Sequence, residues 1–223
     1  MASKEPRLRG LYAITPESAE TESLVARTRL CLEAGASIVQ YRAKSLAAAL
    51  ALEQARRLAR ECASAGALFI VNDSVELALA AGAGGVHLGR EDADPREARA
   101  RMPHGVIGVS CYADPQQARH AAAAGADYVA IGSVFPSATK PGAVHAPLEA
   151  IARAKAAGGL PVAAIGGITP SNAARVVDAG ADMLAVIAAL YEAPDVRAAA
   201  FSLARLFDAT PRSTDVRAQP RAV

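Results

Sequence analysis

The stretch that decides the fold runs from residue 119 to residue 132 and reads RHAAAAGADYVAIG. An alanine-rich helical run ends at Gly125-Ala126, and a short apolar run begins directly after it. Glycine just beyond a helix end adopts a positive φ at little steric cost and lets the backbone satisfy the last helical carbonyls. The stretch therefore predicts a helix that stops at a glycine and leads into a β-strand.

The same unit recurs along the chain, at Gly35-Ala36, Gly82-Ala83 and Gly180-Ala181. Each copy is followed by a short apolar run, and four more apolar, β-prone runs lie between the copies. Together they predict eight strands, at about residues 11–15, 37–42, 68–72, 85–88, 106–110, 127–132, 161–165 and 183–187. Alternating helices and strands of this kind are typical of an α/β protein with a parallel sheet.

The segments between the strands have helical composition, most clearly residues 46–64 (LAAALALEQARRLARECAS). Asp94-Pro95 and Asp114-Pro115 mark helix starts, because Asp accepts from free N–H groups and Pro fits the first turn. Eight such units in about 200 residues predict a single-domain (β/α)8 TIM barrel. The competing open doubly wound sheet usually carries a glycine fingerprint after its first strand, where this chain has Thr15-Pro16-Glu17.

Charge and composition divide the chain into a body with two basic ends. We predict an N-terminal extension at 1–10, a catalytic barrel at 11–208 and a disordered basic tail at 209–223. Residues 1–10 and 209–223 each carry a net charge of +2 and the whole chain carries +2, so the body has a net charge of −2 and is slightly acidic. A nucleic-acid binder concentrates basic residues on its folded surface, so we expect no nucleic-acid partner.

Cysteine usage and the lack of long apolar runs indicate the compartment. Cys31, Cys62 and Cys111 are odd in number and widely spaced, unlike a zinc site or a disulfide framework. The N-terminus has no apolar signal region, and charged residues interrupt each apolar stretch well before it could span a bilayer. We therefore expect a cytoplasmic protein with no membrane partner.

Polar residues gather where the predicted strands end, which is where barrels place their chemistry. In the second strand, Gln40, Arg42 and Lys44 share one face, because side chains alternate along a strand. Two cations there need an anionic partner, although a salt-bridge layer or a solvated strand end would give the same pattern.

Acidic residues follow the next two strands, as Asn72-Asp73 and Glu91-Asp92. Asp73 could instead cap the helix near Ser74, and Asp92 could be an ordinary solvated acid. Taken together, carboxylates on neighbouring strand ends match the way Mg²⁺ is held by one or two carboxylates plus substrate phosphate oxygens. Asp73 and Asp92 are our predicted metal ligands.

Two further segments are suited to phosphate. The loop GSVFPSATKP at 132–141 brings the hydroxyls of Ser137 and Thr139 together with Lys140. After the seventh strand, Gly166-Gly167 opens a turn that leads into a helix, and Ile187-Ala188 ends the eighth strand nearby. Two anion-binding regions in one barrel mouth predict two phosphorylated small-molecule substrates.

Few nucleophile candidates remain. His87 lies within the fourth strand and is interpreted as a packed core histidine, whereas Ser110 ends the fifth strand as a ligand contact or a helix cap. No common nucleophile or nucleotide-binding motif occurs. The reaction is therefore expected to depend on stabilising a leaving group, with Mg²⁺, Arg42, Lys44 and Lys140 neutralising a departing pyrophosphate.

At this point the sequence resembles the thiamine phosphate synthase family, from LYAITP at 11–16 to AGADMLAVIAAL at 179–190. The motifs that carry the resemblance are VQYRAK, VNDSVELALAAGAGGVHLGREDAD, IGVSCY, YVAIGSVFPSATKP and AIGGITPSN. The resemblance implies an enzyme that joins 4-amino-2-methyl-5-(diphosphooxymethyl)pyrimidine to a thiazole phosphate. Pyrophosphate would leave first, and the thiazole nitrogen would capture the pyrimidine cation.

The resemblance also assigns residues. It implies catalytic roles for Arg42, Lys44, Ser110 and Lys140, and Mg²⁺ at Asp73 and Asp92. The pyrimidine diphosphate contacts it implies are Gln40, Tyr41, Arg42, Ala43, Lys44, Asn72, Ser110 and Lys140. The thiazole phosphate contacts it implies are Ser137, Ala138, Thr139, Gly167, Ile187 and Ala188. Ala188 stands where the family often has Ser, so we expect one hydroxyl contact fewer with function retained.

Two rival functions stay open. A thiazole tautomerase of the same superfamily would need an acid or base in the sixth loop. A His after Gly132 would favour that function, but this chain has Ser133 there. A non-catalytic sensor of a phosphorylated ligand would not need both metal-binding acids. The oligomeric state is open as well, although alanine-rich helices are compatible with close packing in a homo-oligomer.

Overall fold

Eight parallel strands close into a barrel in this computed structural model, which describes residues 8–136, 142 and 144–208. The strands are β1 (Gly10–Ile14), β2 (Ala36–Tyr41), β3 (Leu68–Asn72), β4 (Gly85–Leu88), β5 (Val106–Tyr112), β6 (Tyr128–Ile131), β7 (Val162–Ile165) and β8 (Met183–Val186). Each strand pairs with its sequence neighbour, and β8 pairs with β1 to complete the ring. The predicted TIM barrel is confirmed, with all eight strands where the sequence indicated them.

Helices follow the strands and form the outer layer. They are α1 (Thr21–Glu33), α2 (Ala48–Ala65), α3 (Val75–Ala81), α4 (Pro95–Arg101), α5 (Pro115–Ala123), α6 (Glu149–Gly158), α7 (Ala173–Asp178), α8 (Ala188–Tyr191) and α9 (Val196–Ala204), with a 3-10 turn at Arg205–Phe207. The predicted helix starts at Asp94 and Asp114 hold, since each carboxylate accepts from the backbone N–H two residues on. The predicted tail at 209–223 and residues 1–7 lie outside the described residues.

The four glycines of the repeated Gly-Ala pairs have the conformation expected of them. Gly35, Gly82, Gly125 and Gly180 have φ values of 101, 68, 88 and 99° respectively. Residues with a Cβ rarely adopt this left-handed region, so glycine is the residue that lets each helix stop sharply and turn into the next strand. A repeated local signal thus specifies four of the seven helix-to-strand connections in the described residues.

The apolar core has two layers. The larger layer lies between strands and helices, and the smaller one fills the barrel interior with side chains from β1 to β3 and β5 to β8. Tyr128 is the bulkiest inward residue of β6, and a Cβ on Gly108 of β5 would lie 2.1 Å from its ring carbon Cζ. Gly108 therefore makes the space in which a tyrosine can cross the barrel interior.

Two aspartates tie the amino ends of the strands together. Asp127, just before β6, accepts from the Ile107 N–H of β5 at 2.7 Å and from the Arg99 guanidinium at 2.6 Å. Asp182, just before β8, accepts from the Val162 N–H of β7 at 2.9 Å and pairs with Lys155 at 2.7 Å. Each aspartate follows a Gly-Ala pair, so two of the four copies of the repeated sequence unit carry this strand-to-strand contact.

In the part of the chain that the structure describes, no helix combines the length and the apolar character that crossing a membrane requires. Cys31, Cys62 and Cys111 are all free and buried. Burial raises the pKa of each thiol to about 12.

Candidate active site

A cavity of about 1150 Å³ opens at the carboxyl ends of the strands. Ten of the residues predicted from the sequence to bind substrate or metal line it: Gln40, Arg42, Lys44, Asn72, Asp73, Asp92, Ser110, Gly167, Ile187 and Ala188. The closed barrel brings them together because every parallel strand delivers its last residues to the same rim.

Gln40 near the end of β2, and Arg42 and Lys44 just beyond that strand, all line the cavity. Gln40 is buried at 3% exposure, whereas the Lys44 side chain is 52% exposed at the rim. The intervening side chains point the other way: Tyr41 donates to Gln54 of α2 at 2.8 Å, and Ala43 packs against the outer core layer. Any substrate contact by residues 41 and 43 would therefore involve their backbone.

The loop that follows β2 is fastened to the loop that follows β1. The Arg42 N–H donates to the Thr15 hydroxyl at 3.0 Å, and the Ser45 N–H donates to the Glu17 carboxylate at 2.7 Å. Hydrogen bonds from Ser45 hold the pKa of Glu17 below its usual range. These contacts hold the backbone that carries both cations before any ligand arrives.

Asp73 and Asp92 meet at the cavity wall. Asp73 has a φ of 65°, and its carboxylate lies 3.0 Å from the Lys44 ammonium. Ser74, not Asp73, caps α3, because the Ser74 hydroxyl accepts from the Leu77 N–H. Asp92 accepts from the Gly89 N–H at 2.6 Å, and the neighbouring Asp73 carboxyl is one of the causes that raise the pKa of Asp92. The two acids are thus a facing pair.

The electrostatics of this pair fit a divalent cation. Burial, and then the approach of the Asp73 carboxyl, raise the pKa of Asp92, although the Gly89 N–H acts in the opposite direction. A cation between two such carboxylates would remove the penalty of their proximity. The described residues hold no cluster of three or more metal-binding side chains. Two carboxylates still suit Mg²⁺, which commonly completes its shell with water and substrate phosphate.

The opposite side of the cavity is built mainly from small residues and backbone. Gly167 follows β7, and its carbonyl accepts from the Asn172 amide at 2.9 Å. The Asn172 side-chain oxygen accepts from the Thr169 N–H at 2.8 Å, so one amide closes the turn before α7. Ile187 and Ala188 line the cavity after β8. The predicted contacts Ser137, Ala138, Thr139 and Lys140 lie outside the described residues.

Sequence reasoning missed a buried polar chain in the floor of the cavity. The Gln40 amide donates to the Tyr12 hydroxyl at 2.6 Å, and the Tyr12 and Tyr128 hydroxyls lie 2.7 Å apart. The Tyr128 hydroxyl lies 2.9 Å from His87 Nδ1, and His87 Nε2 lies 2.9 Å from the Ser110 hydroxyl. Five strands contribute one side chain each to this continuous path across the barrel.

His87 is buried, as predicted, yet it lines the cavity and belongs to that path. Burial lowers its pKa to about 4, against a smaller opposing effect of Asp92. Its ring stacks on Tyr128 with centroids 5.6 Å apart. Ser110 is not a helix cap, since Asp114 caps α5 and Ser110 faces the cavity within β5. Isolated polar residues in apolar strands were the only available signal for these contacts.

The sequence model of the thiamine monophosphate synthase family matches residues 11–190, which is most of the chain. The chain belongs to the thiamine monophosphate synthase family. The predicted family membership is thereby confirmed, as is the prediction of an enzyme, because the family is one of synthases.

Individual relatives agree with the family match. A thiamine-phosphate synthase of Aromatoleum aromaticum is 53% identical over 206 residues, which cover 92% of this chain and 99% of the relative. A thiamine-phosphate synthase of Thiobacillus denitrificans is 53% identical over 203 residues, covering 91% and 96%.

A solved structure also matches. A thiamine phosphate pyrophosphorylase from Pyrococcus furiosus superposes with a TM-score of 0.83 at 35% sequence identity, covering 92% of this chain and 98% of that one. The thiamine monophosphate synthase barrel therefore accounts for the whole described fold. The roles of individual residues in the cavity stay predictions.

Proposed function

We propose that this chain condenses 4-amino-2-methyl-5-(diphosphooxymethyl)pyrimidine with a thiazole phosphate to give thiamine phosphate and pyrophosphate. The observation that carries the proposal is that Lys44 and the Asp73–Asp92 pair share one cavity with the small-residue wall of Gly167 and Ala188. A cavity with two unlike polar regions suits two substrates that carry different phosphate groups. Membership in the thiamine monophosphate synthase family supports the same reaction.

The diphosphate would bind at the β2 side of the cavity. Arg42 and Lys44 are held there by the fastened loop, and Lys140 would join them from the sixth loop. Fixed cations stabilise negative charge as it develops on a leaving group, without reorganising in the transition state. Asn72 lines the cavity beside the acidic pair and would add a polar contact.

Asp73 and Asp92 would hold Mg²⁺ between them. When bound, the ion would supply charge neutralisation to the departing diphosphate. The Lys44 ammonium, 3.0 Å from Asp73, keeps the local charge near balance before substrate arrives. The Gly89 N–H orients the Asp92 carboxylate toward the cavity wall.

The thiazole phosphate would bind the opposite wall, at Gly167, Ile187 and Ala188, with Ser137, Ala138 and Thr139 contributing from the sixth loop. In the reaction, the bond between the pyrimidine methylene carbon and the diphosphate oxygen breaks, and its electron pair leaves with pyrophosphate. The lone pair of the thiazole nitrogen then forms the new carbon–nitrogen bond. No proton moves, so the step needs neither a general acid nor a base.

The uncharged cavity floor suits a cationic intermediate. With a pKa lowered to about 4, His87 is neutral at physiological pH, and burial raises the pKa of Tyr12 and Tyr128 so that both stay protonated. A positive group in the floor would oppose formation of the pyrimidine cation. The floor instead offers aromatic rings and hydroxyl groups.

The test is to supply both substrates to the purified chain with Mg²⁺ and to measure pyrophosphate release and the product mass. We expect thiamine phosphate and pyrophosphate in equal amounts, loss of both with a chelator, and recovery on adding Mg²⁺. Absence of product with both substrates and Mg²⁺ present would overturn the proposal. Isomerisation of the thiazole phosphate alone would support the tautomerase, and binding without turnover would support the sensor.

Cellular context is part of the proposal. Three free, buried cysteines are typical of a reducing compartment, so we place the reaction in the cytoplasm. A homo-oligomer and the absence of nucleic-acid and membrane partners stay predictions.

A further inference from the structure

The hydrogen-bond directions in the buried chain of the cavity floor can be assigned in order, starting at Gln40. With the Gln40 amide donating, only one arrangement of protons gives every donor an acceptor. The Gln40 Nε2 group can only donate, so the Tyr12 hydroxyl is an acceptor there. Tyr12 is 1% exposed, and its own proton therefore goes to the Tyr128 hydroxyl, 2.7 Å away. Otherwise a buried donor would be left without a partner.

The order of donors and acceptors continues from Tyr128 through His87 to Ser110. Tyr128 accepts from Tyr12, so its proton goes to His87 Nδ1 at 2.9 Å. A neutral imidazole that accepts at Nδ1 carries its proton on Nε2 and donates with it. The recipient is the Ser110 hydroxyl oxygen at 2.9 Å. The Ser110 hydrogen is then free to point into the cavity.

The reverse arrangement is the alternative that must be considered. If the Gln40 oxygen faced Tyr12, each bond would run the other way, and Ser110 would donate to His87. In the structure the nitrogen faces Tyr12, which leaves the Gln40 oxygen free of that bond, and Gln40 lines the cavity together with Arg42 and Lys44. A carbonyl oxygen near cations is favoured over an amide N–H₂ group near cations.

We propose that this chain is directional: the Gln40 amide sets the proton positions, so that Gln40 offers the cavity an acceptor and Ser110 offers it a donor. Tyr12, Tyr128 and His87 are positioning residues. Tyr128 does not line the cavity and can act on a ligand only through its neighbours. The Ser110 hydroxyl, which lines the cavity, is the group that would touch the ligand.

The consequence for catalysis rests on the proposed function. A hydroxyl that donates stabilises an anionic oxygen, as on a departing diphosphate, whereas one whose proton is turned away presents a lone pair and repels it. Reversing the chain would therefore change the sign of the Ser110 contribution, although the only heavy atoms that move are the Gln40 amide oxygen and nitrogen, which exchange places.

The direct test is the tautomer of His87 in the full chain. Two-bond ¹H–¹⁵N correlation spectra of histidine-labelled protein distinguish a protonated Nδ1 from a protonated Nε2. His104→Gln, His120→Gln and His145→Gln identify the other three histidines, all of them exposed. We expect neutral His87 with its proton on Nε2 between about pH 6 and 8. A proton on Nδ1, or a charged ring, would overturn the proposal.

Gln40→Glu tests what sets the direction. An ionised carboxylate only accepts, so Tyr12 would have to donate to it and every later bond would reverse. We expect the His87 proton to move from Nε2 to Nδ1 in this variant. An unchanged tautomer in folded Gln40→Glu protein would contradict the role of the amide. If that variant does not fold, the wild-type spectrum alone still decides the direction.

Tyr128→Phe tests the link to catalysis. It removes the hydroxyl that joins Tyr12 to His87, and we expect kcat to fall about 10- to 100-fold with little change in KM. Tyr191→Phe is the matched control, because it removes a buried phenol bond to Thr28 at 3.0 Å outside the cavity. Similar melting temperatures for the two variants, with kcat reduced only by Tyr128→Phe, are the expected result. Equal kcat in both would overturn a positioning role.

The double variant Tyr128→Phe with Ser110→Ala completes the test. If Tyr128 acts through Ser110, the second substitution adds little to the loss from Ser110→Ala alone. Losses that multiply independently would contradict the link. If the wild-type chain makes no thiamine phosphate, the proposed function fails, while the spectra of His87 still decide the direction of the chain.

Discussion

The two ends of the barrel use the same residue type in opposite ways. At the amino end, Asp127 accepts from a backbone N–H and from a guanidinium, and Asp182 accepts from a backbone N–H and an ammonium. At the carboxyl end, Asp73 and Asp92 face each other. One end satisfies its carboxylates within the chain, whereas the other holds two of them close together.

This difference separates stability from function. Carboxylates that are fully paired in the folded state lower its free energy, and removing them leaves donors without acceptors. Carboxylates that crowd each other raise the free energy of the empty protein and are retained for what they bind. The amino end should therefore respond to substitution by losing stability, and the carboxyl end by losing activity.

Asp92→Asn should have the largest effect. The substitution keeps the side-chain size and an acceptor for the Gly89 N–H but removes a proposed metal-binding charge. We expect kcat/KM to fall at least about 100-fold, comparable to the loss of one transition-state charge contact. The melting temperature should be unchanged or slightly higher, because a like charge beside Asp73 is removed. Steady-state kinetics and differential scanning fluorimetry measure the two quantities.

Asp94→Asn is the matched control for that variant. Asp94 lies two residues further on and caps α4 by accepting from the Arg96 N–H at 2.7 Å. Asn is an equally good N-cap, so both activity and melting temperature should stay near wild type. A large loss of stability in Asp92→Asn would show that Asp92 has a structural role.

Lys44→Ala should have the next largest effect. The ammonium pairs with Asp73 at 3.0 Å, but the side chain is 52% exposed, so the pair adds little to stability. We expect activity to fall about 10- to 100-fold, mainly through weaker binding of the diphosphate charge. Lys140→Ala should behave in the same way. A KM for the pyrimidine substrate that stays unchanged in both variants would contradict this assignment.

Asp127→Ala should give the opposite result, at the amino end. It leaves the Ile107 N–H without its acceptor, at a cost of about 1.5 to 3 kcal/mol, whereas the Arg99 guanidinium keeps four backbone carbonyls as acceptors. For a chain of this size the melting temperature should fall by about 3 to 12 °C. The kcat of the folded fraction should stay near wild type, measured well below the melting temperature. A specific loss of kcat would break the division between the two ends.

The helix ends and strand starts at the amino end could be predicted from sequence, because their signals are local, whereas the two aspartates there were not predicted. Gly125-Ala126 and Gly180-Ala181 lie beside the aspartates that clamp the neighbouring strands. The carboxyl ends of the strands carried a local signal as well. The alternation of Gln40, Arg42 and Lys44 predicted that they share the cavity side, although β2 itself ends at Tyr41. The side-chain period of a strand and the spacing of residues along the chain suffice for prediction wherever the interacting residues belong to one helix–strand unit or to adjacent units.

The floor of the cavity could not be predicted in this way. Tyr12, His87 and Tyr128 each occur singly in an apolar strand, where a buried aromatic residue is the ordinary interpretation. They meet only because closure of the barrel brings β1, β4 and β6 across one interior. The contact also needs Gly108 on β5, a further strand, to leave room for Tyr128. Such coincidences depend on long-range geometry that no sequence window contains.

The smallest predicted effect is a pH dependence of the melting temperature, which comes from Asp92 beside Asp73 at the carboxyl end. The pKa of Asp92 is raised in the folded state by burial and by Asp73, so folding favours its protonated form. This contribution is fully present below the unfolded pKa and is lost as pH rises through the folded pKa. Without divalent cations, Asp92→Asn should therefore exceed wild type in melting temperature at neutral pH, and the gap should close on acidification.

Added Mg²⁺ should also change the difference in melting temperature between wild type and Asp92→Asn. A cation bound by Asp73 and Asp92 stabilises the folded chain by mass action, so wild type should gain melting temperature with increasing Mg²⁺. Asp92→Asn should gain much less, and the gap seen at neutral pH should shrink or reverse. A gap that widens on acidification would mean that Lys44 stabilises the charged Asp92 more than Asp73 opposes it. The crowded acids would then be a paired cluster like those at the amino end.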